Sequence, residues 1–555
     1  MDLPFDTKKT DAQLAGVRER EEEDVARILS EKYGVPYTDL TLHEIDTEAL
    51  RIIPEDDART AEAAAFARAN KTLSLAVHNP NNPALPALLH DLGNRGYAVK
   101  QYFVSKKSLE KTLGRYGDLS YATESKPGVF EVKGDTLARL AAEMSSRSRL
   151  REELDAVVAE KALDRVSRVF EIILAGAFAL RASDIHFEPE EAKTRLRLRL
   201  DGALTDAYFF DPKTYRLLNS RVKLLSGAKL NLSDRAQDGR FTVSKGDRPV
   251  EIRASFIPGA YGESIVLRIL DPETTKTSFK DLGIHPKLLA RLEKEIRKPN
   301  GMLLTTGPTG SGKTTTLYSF LREIQSPDIK IITIENPIEY HLEGIVQTQV
   351  EGKKYTFAEG LKSIVRQDPD VIMVGEIRDA DTADIAIQAA LTGHFVFSTL
   401  HTNDSAGTFP RLADLGADPK SFGSAISVSM AQRLVRRLHP EHKKERPLTD
   451  DEKMVIRKAF ENFPDASLIP NDPQTVWEPE PANGDDTGYA GRIGLYEAIF
   501  MDDDLAHLLR DNPPAADIRK ATLKQGYLTM AQDGILKALA GLTSLSEVED
   551  NVGLS

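Results

Sequence analysis

Gly307 to Thr316, GPTGSGKTTT, follows the apolar run GMLLTT and precedes LYSFLREI, and this succession constrains the fold more than any other part of the chain. Such a loop needs a β-strand to deliver it and a helix to receive it, because phosphate is held by backbone amides and by the positive end of the helix dipole. The spacing predicts that Gly307, Gly310 and Gly312 let the backbone approach phosphate oxygens, with Pro308, Thr309 and Ser311 completing the loop. Lys313 is placed to reach the β and γ oxygens, Thr314 to set its hydroxyl on Mg²⁺, and Thr315 to continue the cradle into the helix. The expected fold class is α/β. The same cradle serves kinases, transporters, helicases and motors, so its neighbours must decide what it drives.

Downstream, QDPDVIMVGEIRD places an apolar strand, Val371 to Val374, directly before Gly375 and Glu376. The carboxyl ends of parallel strands are where ligands lie in open α/β sheets. A carboxylate there can polarise the attacking water, which makes Glu376 the expected general base. KIITIENPIEY delivers Glu335 and Glu339 after another apolar strand, where they are expected to orient water or hold metal. TGHFVFSTLHTND sets His394 before a further strand and His401 after it, near Thr399 and Asn403, as expected sensors of the γ-phosphate.

At 555 residues the chain exceeds one compact core, so several domains are expected. Hydrophobic content of 41% beside 28% charged residues, with no apolar run long enough to span a bilayer and no leader-like start, reads as a cytoplasmic globular protein. The formal charge of -12 argues against a broad nucleic-acid surface, which would need clustered Lys and Arg. The lack of cysteine excludes disulfides, thiolate nucleophiles and cysteine zinc sites. Val17 to Gly34 reads as an amphipathic helix with Val25, Ile28 and Leu29 on its apolar side, and strands and helices then alternate to about Arg115. Polar and turn-forming residues follow as a linker. A long apolar-periodic helix leads next to ASDIHFEP and to TRLRLRLDG, whose alternation presents Arg195, Arg197 and Arg199 on one face.

GPTGSGKTTT, ENPIEY, RQDPDVIMVGEIRD, TGHFVFSTLHTND and AQRLVRRL, in that order, resemble the bacterial type II secretion and type IV pilus assembly ATPases. ASDIHFEP, RLRLDG, SRVKLLSG, AQDGRF and GESIVLRIL resemble the second N-terminal domain of that family, and TGYAGRIGLYE its C-terminal region. The resemblance implies a RecA-like ATPase core at 276–440, preceded by a PAS-like α/β domain at 159–275 and a smaller N-terminal α/β docking domain at 1–125. A linker is expected at 126–158, a cysteine-free insertion at 441–485 and a C-terminal helical region at 486–555.

It also implies roles. Lys313 and Thr314 hold ATP and Mg²⁺, Glu335 and Glu339 form the acidic box, Glu376 ends the Walker B strand and His394 and His401 form the histidine box. Arg199 and Arg221 are the implied nucleotide-facing arginines of the preceding domain. The implied working form is a homohexamer, peripheral at the inner face of the cytoplasmic membrane, that drives a polytopic inner-membrane platform protein alongside other secretion or pilus machinery and uses no nucleic acid. The alternatives are a nucleic-acid translocase on the same core and a scaffold that binds ATP without hydrolysing it. Two departures stand out: Asn336 takes the place of the acid that usually follows the first Glu of the acidic box, and HPEHKKERP with EPANGDDTGYAGR replaces a four-cysteine zinc site. No zinc is expected there, nor a cyclic dinucleotide on the N-terminal domain, which lacks tandem RLG-type repeats.

Overall fold

The computed structural model describes residues 22–554 apart from 42, 44, 51, 70, 119–128, 131–140, 142–143, 145, 160–164, 246–247, 272–276, 353 and 483–486. The chain forms two compact units: the described residues up to Leu180 with Asp184–Leu198 and Asp206–Arg268, and Arg181–Ser183, Arg199–Thr205 with Ile269 onward. No helix among the described residues is long and apolar enough to cross a membrane.

The first unit opens with a helix at 22–33, of which the expected residues before 22 lie outside the described part. Its buried residues are Ala26 and Ser30, whereas Val25 and Ile28 are exposed, which corrects the apolar face read from the sequence. The reason is polar anchoring: Glu23 accepts hydrogen bonds from Tyr37 Oη at 2.6 Å and Ser108 Oγ at 3.1 Å, which turns the helix by its acid. Beyond it β1 (Ala63–Ala69), β2 (Thr72–Val77) and β3 (Ala98–Phe103) form a three-stranded sheet over a core including Leu73, Leu75, Leu88 and Leu92.

A seven-stranded sheet follows in the order β4-β8-β9-β10-β5-β6-β7. Its strands are β4 (Val129–Phe130), β5 (Asp184–Pro189), β6 (Thr194–Leu200), β7 (Ala203–Phe210), β8 (Gln237–Lys245), β9 (Arg248–Ile257) and β10 (Ser264–Leu270). The helices α1 (Arg165–Ala179) and α2 (Pro212–Ser226) accompany it. Much of the expected linker lies outside the described residues. From Arg147 to Ala159, however, it is a helix that buries Leu150, Leu154 and Val157, so this stretch belongs to the packed unit. Spacings of four and three residues put those side chains on one face, and Gly176 on α1 admits Leu150 so closely that a Cβ there would meet it at 2.7 Å.

The second unit is built on a sheet in the order β13-β12-β14-β15-β11-β16-β19. β11 (Gly301–Thr306), β12 (Ile331–Glu335), β13 (Val346–Gln349), β14 (Val371–Val374), β15 (Phe395–Leu400) and β16 (Ile426–Leu438) run parallel, and β19 (Tyr489–Phe500) pairs antiparallel with β16. Every residue of β11, β14 and β15 is buried, as expected for parallel strands covered on both faces. One face packs Met302, Leu304, Ile334, Val374 and Val396 against α4 (Phe357–Val365) and α5 (Ala380–Leu391). The other packs Leu303, Met373, Phe397 and Met430 against α3 (Lys313–Ile324). Each such side chain contributes roughly 1.5–3 kcal/mol by leaving water.

The region expected to be helical from 486 begins instead with the twelve-residue β19, because alternation in YAGRIGLYEAIF lets Leu495 and Tyr496 face opposite cores. α6 (Met530–Leu539) and α7 (Leu545–Val552) then close the chain. Between β16 and β19 in sequence, 441–485 holds the antiparallel pair β17 (Lys443–Pro447) and β18 (Thr475–Pro479), with a helix at Asp450–Ala459 between the two strands. Leu448, Ile456, Phe460, Phe463 and Val476 share one apolar core with Ile535 and Ala538 of α6 and Leu545 of α7, and the His439 and His442 rings stack 4.2 Å apart.

Candidate nucleotide site

The register of the central strands brings the sequence motifs to one edge. β11 and β15 pair from Gly301 with Phe395 to Thr306 with Leu400, while β14 and β15 pair up to Val374 with Ser398. The loop after Thr306, Glu376 after β14 and His401 after β15 therefore leave the sheet at its carboxyl edge. Ser398 Oγ donates to Val374 O and Thr399 Oγ1 to Gly375 O, each at 2.8 Å, and Ile377 N donates to Thr399 O at 3.0 Å. These bonds fix the backbone on both sides of Glu376. Its Oε2 lies 2.6 Å from Arg378 Nε and 3.5 Å from His401 Nε2.

The loop itself is shaped as a cradle. Gly307 has φ 149° and Gly312 φ 88°, conformations that a side chain opposes. A Cβ on Gly307 would stand 2.5 Å from Gln432 O, and one on Gly312 2.8 Å from Gln432 Nε2. Ser311 is 3% exposed and its Oγ has no hydrogen-bond partner among the described residues. Gly312 stands at the N-cap of α3 and offers no side-chain cap, so the helix's first-turn amides are left for a ligand. An orphaned buried hydroxyl, an uncapped helix and glycines that leave room only for backbone fit a nucleotide's phosphates. Pro308, Thr309, Gly310, Thr314 and Thr315 complete the segment around them.

Lys313 is 9% exposed and donates to Gly307 O at 2.8 Å and Pro308 O at 2.9 Å. Burial, reinforced by the nearby Arg433 guanidinium and opposed by Glu376, lowers its pKa to about 8. Phosphate requires the protonated amine. ATP affinity is therefore expected to fall as pH rises through that value, by roughly tenfold between pH 7 and pH 9 if only the cation binds. Titrations of ATP binding across this range check it, and a profile flat to pH 9 would contradict it.

Glu335 ends β12 at 2% exposure and accepts hydrogen bonds from Thr333 Oγ1 at 2.6 Å, from Gln347 Nε2 at 3.2 Å and from Tyr318 Oη. Burial outweighs these donors and raises its pKa, with Glu339 adding to the rise. Its carboxyl thus anchors β12 to α3 and β13, a more internal setting than the water-orienting role expected of it. Tyr318 is pushed up in turn by burial and by Glu335.

One expected position of the second unit lies elsewhere. His394 stands at the amino end of β15, where its carbonyl accepts from Gly301 N at 3.2 Å. Six residues at about 3.3 Å each put it roughly 20 Å from the edge that carries the loop, so its ring is not part of this site within the chain. Its Nδ1 instead meets Ala389 O at 3.0 Å. Arg221, in the first unit, is 4% exposed within α2. Arg199, half-buried at the end of β6, donates to Gly202 O at 3.0 Å. On the same strand Arg195 is paired with Asp206 at 3.0 Å and Arg197 with Glu188, which accounts for two of the three arginines on that face.

Gln432 and Arg433 carry no role in the sequence reading, yet they wall the cradle. β16 lies beside β11 and the pairing ends with Thr306 opposite Ala431, so the next residues on each strand, Gly307 and Gln432, meet. Gln432 Oε1 accepts from Thr316 Oγ1 at 2.9 Å, and Arg433 Nη1 stands 3.1 Å from where a Cβ on Gly307 would be. The available signal was a polar pair inside the otherwise strand-like ISVSMAQRLV.

A phosphate loop at the edge of a parallel sheet, with an acid and a histidine leaving neighbouring strands, defines a nucleoside triphosphatase of the P-loop class. Residues 159–550 match the model of the Type II/IV secretion system protein family, and residues 33–123 match the MshEN domain model. The chain belongs to the type II/IV secretion system protein family, among its ATPases. It is 34% identical over 540 residues to the type IV pilus assembly ATPase PilB of Myxococcus xanthus, covering 96% of this chain and 91% of that one. With the type II secretion system protein E of Xanthomonas campestris pv. campestris it shares 41% identity over 386 residues, 69% of this chain and 66% of that protein's length. The X-ray structure of the Yersinia pseudotuberculosis ATPase DotB has the same fold, at 20% identity and a TM-score of 0.51 over 70% of this chain and 94% of that one.

Proposed function

We propose that this chain is the ATP-hydrolysing motor of a type IV pilus assembly or type II secretion machine, working as a homohexamer on a polytopic inner-membrane platform protein. The observation that carries the reading is the convergence of Lys313, Glu376 and His401 at one sheet edge in a chain aligned with a pilus assembly ATPase over 96% of its length. The match to that relative runs over 540 residues and takes in the N-terminal module, whereas the match to the type II secretion relative spans 386, which favours the pilus branch.

In this reading the loop amides, Ser311 and Lys313 bind the phosphates of ATP, and Thr314 holds Mg²⁺, which neutralises phosphate charge when bound. Glu376 takes the proton from the attacking water, with His401 beside it to steady the carboxylate. Arg199, and any arginine that a domain movement exposes, would complete the site from outside the loop. The motor would sit at the cytoplasmic face of the membrane, held by its partners.

ATP turnover measured against oligomeric mass, with and without single-stranded DNA, tests the motor reading. A hexamer whose slow turnover ignores nucleic acid supports it, whereas a monomer strongly stimulated by DNA would make it a translocase. Deleting the gene in its host and scoring pili against exported proteins separates the two branches.

A further inference from the structure

Arg433 and Lys313 share an unusual condition at the phosphate loop: each is a cation held by neutral carbonyl groups. Lys313 Nζ donates to Gly307 O and Pro308 O, and Arg433 donates to Gln432 O at 3.1 Å and Asn403 O at 3.0 Å. Glu497 and Asp404 act on Arg433 only at longer range. Glu497 is engaged by Ser405 N and Oγ at 2.7 and 2.8 Å and by Met530 N at 3.3 Å. Asp404 accepts from Gly407 N at 2.7 Å and faces Arg519 at 3.8 Å. Burial lowers the pKa of Arg433, and its charge in turn helps to lower that of Lys313. Two like charges held this close in a partly buried site are costly unless an anion joins them.

The position of Arg433 indicates which anion. Its Nη1 is beside Gly307, the first loop residue, whose carbonyl also receives Lys313. The lysine of such a loop reaches the β and γ oxygens. Arg433 therefore lies on the side of the cradle where the terminal phosphate arrives.

We infer that Arg433 is a second phosphate-binding cation, supplied from β16 of the same chain, that exchanges its carbonyl partners for the γ-phosphate of ATP and so distinguishes triphosphate from diphosphate. The inference rests on the ATPase reading. The exchange would release Asn403, two residues after His401, and thereby link γ-phosphate binding to the loop that carries the histidine. Gln432 keeps β16 against α3 through Thr316 while the guanidinium moves, since it bonds through its own side chain.

The test is equilibrium binding of ADP and of the imido-bridged, non-hydrolysable ATP analogue to the full chain, for wild type, Arg433→Ala and Arg433→Lys. Losing one charge-assisted hydrogen-bonding partner should weaken the triphosphate analogue by roughly 10- to 100-fold in Arg433→Ala. ADP should change by less than about threefold. Arg433→Lys should recover part of the difference, because charge survives but the planar fork does not. Equal losses for both nucleotides would reduce Arg433 to a structural wall of the loop and overturn the inference, as would unchanged binding of both. If Arg433→Ala fails to fold, the analogue-to-ADP ratio in Arg433→Lys decides, and a wild-type ratio there overturns it. A wild-type chain that binds neither nucleotide would sink the ATPase reading itself, a failure distinguishable from the others.

Discussion

Glu376→Gln is expected to cut ATP turnover by about 10² to 10⁴-fold, the range for loss of a positioned general base, while ATP affinity stays within a factor of about three. The geometry makes the change clean. Gln and Glu have nearly the same shape, and the backbone at this position is held by bonds from Thr399 and Ile377 that do not involve the side chain. The amide can still accept from Arg378, which lies 2.6 Å away, so the surroundings need not rearrange. Only the capacity to take a proton is lost. Single-turnover hydrolysis alongside nucleotide titration separates the two effects, and turnover near wild type would remove Glu376 from the base role.

Lys313→Ala should abolish measurable ATP binding, a loss of at least about 100-fold, because phosphate loses its buried cationic partner inside the cradle. The variant should still fold. The lowered pKa of Lys313 means that the folded chain holds the proton of this amine less tightly than the unfolded chain does, so the buried charge stabilises nothing by itself. A melting temperature near that of wild type, together with absent binding by calorimetry, is the expected pair of results. Normal affinity would refute the cradle reading. A collapse in melting temperature would show that the bonds from Lys313 to Gly307 and Pro308 hold the empty loop in shape.

The two variants make contrasting demands on one site. The first separates chemistry from binding, and the second removes binding before chemistry can be seen. Behaviour of this kind in both would leave the scaffold alternative without support, since a chain that merely assembles on ATP has no use for a base.

Much of the core was legible in the sequence because local pattern and tertiary role coincide there. GMLLTT, VIMV and FVFSTL are uniformly apolar, and a short uniformly apolar strand fits little except a parallel sheet covered on both faces. The glycines of the loop likewise carry their reason in themselves, as Gly307 and Gly312 take backbone angles that other residues resist. Where a local pattern serves two outcomes, tertiary contacts decide between them. Val25 and Ile28 had the spacing of a buried face, but a single acid bonded to Tyr37 and Ser108 turned that helix the other way. YAGRIGLYEAIF lay among helical segments, and only its pairing with β16 made it the seventh strand of the sheet.

By itself the sequence determined that a phosphate loop joins a strand to a helix, and that Glu376 and His401 each follow a short apolar strand. Those facts depend on residue type and spacing along the chain. Tertiary structure alone decided that Arg433 adjoins Gly307, that Glu335 is enclosed by Tyr318 and Gln347, and that His394 occupies the far edge. The physical reason is strand order: β16 lies next to β11 although more than a hundred residues separate their starts. Periodicity reports which face of a strand is buried, but it carries no record of which strand will lie alongside.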